Sequence, residues 1–367
     1  MRIVFFFLLV VSIGMLNCHA NEKTFSERDV TFNNDSIKLA GTLSIPNGEV
    51  PFPGVVLLTG SGPENRDEEV YGFKIFKVIA DHLATNGIAV LRFDDRGVGE
   101  SGGEYQGANT LDFADDAIAA FKFLEKQAEI DKSKSGMLGH SEGGIIATLA
   151  NKKLEGVDFI VFMASTAVSG DKIINYQIKA YSEKEGLSDE MINQTLLVQN
   201  MAYEAARRDS GFEAVEEEIK KMTLQEVENM SEEERKYISD PEQYAKYKAR
   251  MTMMQVKTPW FKFFTSYDPA KDIEDIKCPV LVLFGGKDKQ VPVELNKEPM
   301  ENALMADGLK NFKTVVFPDA NHLFQKAETG MYDEYTKLPK VFVDGFLETI
   351  STWINDLNKQ GNNIKQE

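Results

Sequence analysis

Cysteine is nearly absent from this chain: Cys18 and Cys278 are the two among 367 residues. Cys18 sits in the N-terminal segment, so its removal or lipidation leaves a single thiol and excludes an intramolecular disulfide. Cys278 opens the apolar run "CPVLVLFGG" and reads as a small buried hydrophobe. Histidine is almost as scarce, with four in the chain, which limits the candidates for a general base. Basic charge is also short, 41 Lys and Arg against 58 Asp and Glu, a net charge of -17. Such a surface repels nucleic acid and anionic membrane, so neither is an expected partner. There is no internal repeat and no low-complexity tract. No H-E-x-x-H motif and no Cys/His cluster points to a metal, and no cofactor is expected.

What is present begins with a different material. Arg2 precedes an apolar stretch, residues 3–16, broken by Ser12 and Gly14. It is too short to span a bilayer comfortably and suits the apolar region of an export signal. Cleavage after Ala20 is one reading, giving residues 1–20 as a signal peptide. The other takes "MLNC" as a lipoprotein signal with Cys18 lipidated, an imperfect match at Met15 and Asn17. Either way the protein is expected in the periplasm or cell envelope. Membrane contact would come only through a lipid on Cys18.

Strand-like and helix-like patterns alternate after that. "GVVLLTG", "IAVLRFDD", "SGMLGH", "VDFIVFMAS", "PVLVLFGG" and "KTVVFPDA" are short apolar runs; amphipathic segments separate them. Continuous apolar strands between helices predict an α/β fold, a mostly parallel sheet covered on both faces. Residues 168–262 break the rhythm. They hold no convincing strand but several helix starts, at Ser188, Thr223, Ser231 and Asp240. Phe212, Val215, Ile219 and Met222 share one helical face, as do Tyr244, Tyr247, Met251 and Met254. The expected organisation is a core of 26–167 and 263–358, an all-helical cap over 168–262, and a flexible tail over 359–367.

"GHSEGG" places Ser141 in a G-x-S-x-G pattern, after a predicted strand and before a predicted helix. In that context the glycines permit a strained turn that lifts the hydroxyl above the sheet and aims the helix N-terminus at the same point. A serine hydroxyl needs a base. His19 lies in the export segment, His140 adjoins the serine and is expected to point away from it, and His82 sits inside an early helix. His322, just past the last predicted strand, remains. Asp288, after the preceding strand, is placed to orient it. Asp319 is the rival, better suited to shaping the turn, and Asp94 and Asp95 suit a local pair with Arg96. The order Ser141, Asp288, His322 follows a known serine–acid–histidine arrangement. The oxyanion donors are expected to be the backbone N–H groups of Glu142 and of Ser61 in "LLTGSGPENRDE". Trp260, Phe261, Phe263 and Phe264 either wall a substrate pocket, Trp260 and Phe263 foremost, or pack the cap onto the core. Arg66 and Asp67 either touch substrate or hold their loop. "GVGESG", residues 97–102, matches a dinucleotide-binding pattern, but a loop follows and the next helix begins near Leu111, which argues against a nucleotide.

Together "TGSGPENRDE", "IAVLRFDDRGVGESGG", "LGHSEGG", "TPWFKFFTSYDPA", "CPVLVLFGGKDKQVP" and "NHLFQKAETG" resemble a bacterial α/β-hydrolase group that includes carboxylesterases, dienelactone-hydrolase-like proteins and serine-aminopeptidase-like hydrolases. The likeness runs from about residue 30 to 356. It implies an esterase acting on a small-molecule ester with a small to medium acyl group, with Ser141, Asp288 and His322 as its triad. Cleavage of amides or peptides by the same triad is the alternative. A non-catalytic binding protein that kept the fold is a third reading, against which stand the three filled positions.

Overall fold

The computed structural model describes residues 24–364, so the expected export segment, Cys18 and His19 lie outside the described residues. Among the described residues there are ten strands: β1 (Phe25–Asn34), β2 (Ile37–Pro46), β3 (Phe52–Leu58), β4 (Glu69–Val70), β5 (Phe73–Lys74), β6 (Ala89–Phe93), β7 (Ile130–His140), β8 (Phe159–Met163), β9 (Val280–Gly285) and β10 (Phe312–Phe317). Eight of them form one sheet in the order β1-β2-β6-β3-β7-β8-β9-β10. The pairings β1–β2 and β2–β6 are antiparallel, and every pairing from β6 to β10 is parallel. The β4–β5 ribbon stands apart.

The continuous apolar strands are explained by burial on both faces. Successive side chains point to opposite sides of a strand. Thus Val56 and Leu58 of β3, Ile160 and Phe162 of β8, and Val282 and Phe284 of β9 enter one core. Their neighbours Val55, Leu57, Val161, Met163, Leu281 and Leu283 enter the other. The first core is closed by α2 (Thr110–Glu125), α3 (Glu142–Lys153) and α11 (Val293–Ala306), the second by α1 (Ile75–Thr85) and α12 (Phe346–Ile364). The start of α2 is fixed by a capping box, in which Asn109 and Asp112 satisfy each other's backbone N–H groups. The "GVGESG" segment therefore leads into a loop, and Glu100 and Ser101 fold back to bond Asp94.

Between β8 and β9 the chain is helical: α4 (Gly170–Lys184), α5 (Asp189–Arg208), α6 (Phe212–Asn229), α7 (Glu232–Arg235), α8 (Pro241–Val256), α9 (Pro259–Phe264) and α10 (Ala270–Ile273). Ser188, Ser231, Asp240 and Thr258 cap four of these helices with their side-chain oxygens. These helices share a small core of their own, with Tyr203, Val215, Met253, Val256 and Phe261. Two features differ from the sequence-based reading. Thr223 lies inside α6 and bonds back to the Ile219 carbonyl instead of starting a helix. The last helix runs on to Ile364, into the segment expected to be a tail. Among the described residues, no helix is long and apolar enough to cross a membrane.

Candidate active site

In a parallel sheet the C-terminal strand ends share one edge, where ligands bind in open α/β folds. Ser61 follows β3, Ser141 follows β7, Asp288 follows β9 and His322 follows β10. Residues as far apart in the chain as Ser61 and His322 thus reach one rim.

Ser141 occupies the single residue between β7 and α3, at φ 53° and ψ -117°. This left-handed backbone is costly for a residue with a Cβ and must be held by its surroundings. Its N–H donates to the Met163 carbonyl at 2.9 Å. The turn closes tightly because the residues two positions to either side, Gly139 and Gly143, have no side chains. A Cβ on Gly139 would collide with the Gly143 carbonyl, and one on Gly143 with the Leu58 carbonyl.

His322 is held as a pair with Asp288. Its Nδ1 lies 2.7 Å from Asp288 Oδ2, and both side chains are buried. The other carboxylate oxygen, Oδ1, accepts the backbone N–H groups of Gln290 (2.7 Å) and Val291 (2.9 Å). A carboxylate fixed at both oxygens fixes the imidazole, leaving Nδ1 as the donor and Nε2 as the free acceptor. Asp319 is elsewhere: its side chain is exposed and approaches Lys287 at 3.7 Å. Ser141 and His322 line one cavity of about 290 Å³ together with Ser61, Glu142 and Trp260. No hydrogen bond joins Ser141 Oγ to His322 in this structure; such contacts are commonly loose until substrate is bound.

His140, expected to turn away, lines the same cavity. Its ring centre is 4.7 Å from that of His322. Its Nε2 lies 3.1 Å from the His322 carbonyl and its Nδ1 2.8 Å from Glu68 Oε1, so it braces the loop that carries His322. Burial alone would lower the His140 pKa, but the adjacent Glu68 carboxylate more than offsets this and holds it above its ordinary value. Glu68 Oε1 also accepts the Gly60 N–H, tying the loop after β3 to the same brace. Glu64 lines the cavity too, and burial, reinforced by the negative charge of Glu68, raises its pKa to about 7.

Glu142 was expected to contribute its backbone. Its side chain does more. The carboxylate is buried and accepts from Ser61 Oγ (2.6 Å), Thr110 Oγ1 (2.7 Å) and Trp260 Nε1, which sits 2.9 Å from both oxygens. Burial raises its pKa, and the three donors pull the other way. One side chain thereby joins the loop after β3, the first turn of α2 and α9. The sequence signal was a charged residue at the start of the helix expected after Ser141. Nothing local names partners 81, 32 and 118 residues distant.

Trp260 lines the cavity and stacks on Phe264, with ring centres 5.0 Å apart, and Phe264 also reaches the cavity wall. Phe263 faces elsewhere, stacked on Tyr267 at 4.9 Å and packed on the first core. Phe261 belongs to the helical core. Arg66 holds its own loop, gripping Asp94 through Nε (3.0 Å) and Nη2 (2.6 Å), and Asp67 pairs with Arg92 and Lys74. Among the described residues no group of acidic, histidine or cysteine side chains is arranged to hold a metal ion.

Comparison with known proteins gives the family and the fold. Residues 73–325 match the family model described as serine aminopeptidase, S33. The chain is 28% identical over 337 residues to esterase EstD of Thermotoga maritima, covering 92% of this chain and 69% of that protein. It is 25% identical over 300 residues to an uncharacterized 31.7 kDa protein of Escherichia coli, covering 81% and 89%. A solved esterase of Pyrococcus furiosus superposes with a TM-score of 0.56 at 17% identity over 94% of both chains. An α/β hydrolase from a Penicillium species gives 0.52 at 16% identity over 91% and 98%. These two are likenesses of fold. The chain belongs to the serine aminopeptidase S33 family and is a serine hydrolase of the α/β-hydrolase fold.

Proposed function

We propose that this protein is an exported carboxylic ester hydrolase in which Ser141 is the nucleophile, His322 the base and Asp288 its orienting acid. The observation that carries the reading is the Asp288–His322 pair at 2.7 Å, opening on the same cavity as a serine held at φ 53°. His322 Nε2 takes the Ser141 proton as Oγ attacks the ester carbonyl. The N–H groups of Glu142 and Ser61 receive the oxyanion. His322 then returns the proton to the departing alcohol, leaving an acyl-enzyme. Water, deprotonated by the same imidazole, releases the acid and restores the serine. His140 and Glu142 are positioning residues, one bracing the His322 loop and the other holding Ser61.

A second reading, amide or aminopeptide cleavage, is favoured by Glu64 and Glu68 on the cavity wall, which suit a substrate ammonium group. The acyl-enzyme is the same in both. Parallel assays with aryl esters and aminoacyl anilides separate them. The ester reading expects a burst of alcohol release and a far higher kcat/KM for esters; preference for the anilides would replace it with the second.

A further inference from the structure

A second cavity adjoins the first, and Ser61 and Trp260 line both. It encloses about 530 Å³. Its walls are the turn at Ser61, Gly62 and Pro63, the loop of Tyr105 to Ala108, and the end of α8 with Met254 and Gln255. None of the residues lining it is charged, whereas the first cavity has Glu64, Glu68 and Glu142 on its wall. In a chain of net charge -17 an uncharged cavity of this size is a selective feature. The partition between the two is built from the Glu142 knot: Trp260 is held by its indole N–H and Ser61 by its hydroxyl. The far wall is anchored to the same loop, since the Gly62 N–H donates to Tyr105 Oη at 3.1 Å.

Met254, on the wall of this cavity, is also the last residue of an exposed apolar stripe on α8. Tyr247, Met251 and Met254 are 62%, 46% and 59% exposed. Their spacing of four and three residues puts them on one face, a stripe about 10 Å long at the helical rise. α8 packs against α6 instead through its other side, where Ala245, Ala249, Met253 and Val256 are buried. An apolar stripe left in water and running into an uncharged cavity marks a binding surface.

We propose that this second cavity, prolonged by the Tyr247–Met251–Met254 stripe, binds a long unbranched hydrocarbon arm of the ester whose carbonyl is attacked by Ser141. The assignment rests on the ester-hydrolase reading above. The occupant follows from continuity: Ser61, which is assigned one oxyanion donor, is also a wall residue of the second cavity, so a molecule seated at the donor extends naturally into it. A charged or strongly polar arm finds no partner there. Each methylene transferred from water to these walls strengthens binding severalfold. The substrates are therefore lipophilic esters with medium to long chains.

The test compares kcat/KM for 4-nitrophenyl acetate and 4-nitrophenyl octanoate in the parent enzyme, in Met254→Glu and in Ala108→Phe. The parent should favour octanoate. The octanoate-to-acetate ratio should fall by about tenfold or more in Met254→Glu, where a carboxylate meets the hydrocarbon, and in Ala108→Phe, where the cavity is filled. A ratio within about twofold of the parent in both variants overturns the assignment, as does loss of a dimer in Met254→Glu with the ratio unchanged, which would make the stripe a contact between copies. A binding arm needs no turnover and no second variant. 2-Decanone, a ketone that cannot be hydrolysed, should perturb the fluorescence of Trp260, one of two tryptophans, far more tightly than 2-butanone. That preference should be lost in the exposed-site variant Met254→Glu. If no ester is hydrolysed by the parent yet 2-decanone is preferred, the catalytic reading fails, and with it the assignment of an ester arm, while the cavity's selection of a hydrocarbon chain stands. If esters are hydrolysed and chain length has no effect on rate or binding, the reverse holds.

Discussion

Asp288 contributes through both carboxylate oxygens, one on His322 Nδ1 and the other on two backbone N–H groups. An asparagine at this place keeps the size but must present an NH2 to one set of donors. Asp288→Asn is therefore expected to lower kcat by about 1,000- to 10,000-fold with the fold intact, measured by steady-state kinetics beside a thermal melt. Glu142→Gln separates positioning from folding. The amide can still pair with hydroxyls, which donate or accept, but its NH2 opposes the Trp260 N–H. We expect kcat to drop by about 10- to 100-fold while KM for a short ester changes little, because the misplaced donor serves the transition state. Equal losses in KM and stability would instead make Glu142 a packing residue. That Ser141, Asp288 and His322 would meet at one sheet edge was legible from the sequence, because the motif and the scarcity of histidine left few choices. The Glu142 knot and the His140–Glu68 brace were not, because both join residues that only the folded sheet edge brings together. The direction of His140 was misjudged for the same reason: adjacency along the chain says nothing about which ring faces it across the sheet.

At the scale of elements, the turn between β7 and α3 is the most exacting piece. Gly143→Ala places a methyl group on the Leu58 carbonyl, which is backbone and cannot rotate away. The substitution should cost roughly 1–3 kcal/mol or more, read as a lower Tm, with activity lost beyond what stability explains. The strands were legible, since runs such as "GVVLLTG" and "VDFIVFMAS" are apolar on both faces and these strands are buried on both. Periodicity misled at α8. Tyr247, Met251 and Met254 form the most apolar face of that helix, yet it packs through Ala245, Ala249 and Met253. Small residues let α6 and α8 approach closely, and close approach won over bulk. A face reserved for a ligand and a face reserved for the core look alike in a one-dimensional pattern. Trp260 and Phe263 illustrate the same limit: residues three apart on α9 lie near one another, but one lines the cavity and the other stacks on Tyr267.

Across the whole molecule, the site concentrates carboxylates in a chain that already carries excess negative charge. Glu64 shows the consequence. Burial first, then the charge of Glu68, raises its pKa from an ordinary 4.5 to about 7. The folded state thus binds this proton more tightly than the unfolded chain. Its stabilising effect is complete below pH 4.5 and is lost as pH climbs through 7. Glu64→Gln, which cannot ionise, should gain stability on the parent steadily between those two pH values and no further above them. Paired thermal melts from pH 4 to 9 check this; a gap that widens toward acid would reverse the sign and refute the burial argument. The overall architecture was legible because the alternation of strand and helix patterns admits few topologies. The helical region was legible as helical but not in how its faces are used.

The central claim is that Ser141 is activated by His322 held by Asp288. Treating the protein with a fluorophosphonate and mapping the adduct by peptide mass spectrometry tests it most directly. One stoichiometric adduct on Ser141 is expected, formed in step with loss of ester turnover and strongly slowed in Asp288→Asn. An adduct on another residue, or full ester turnover by Ser141→Ala, would contradict it.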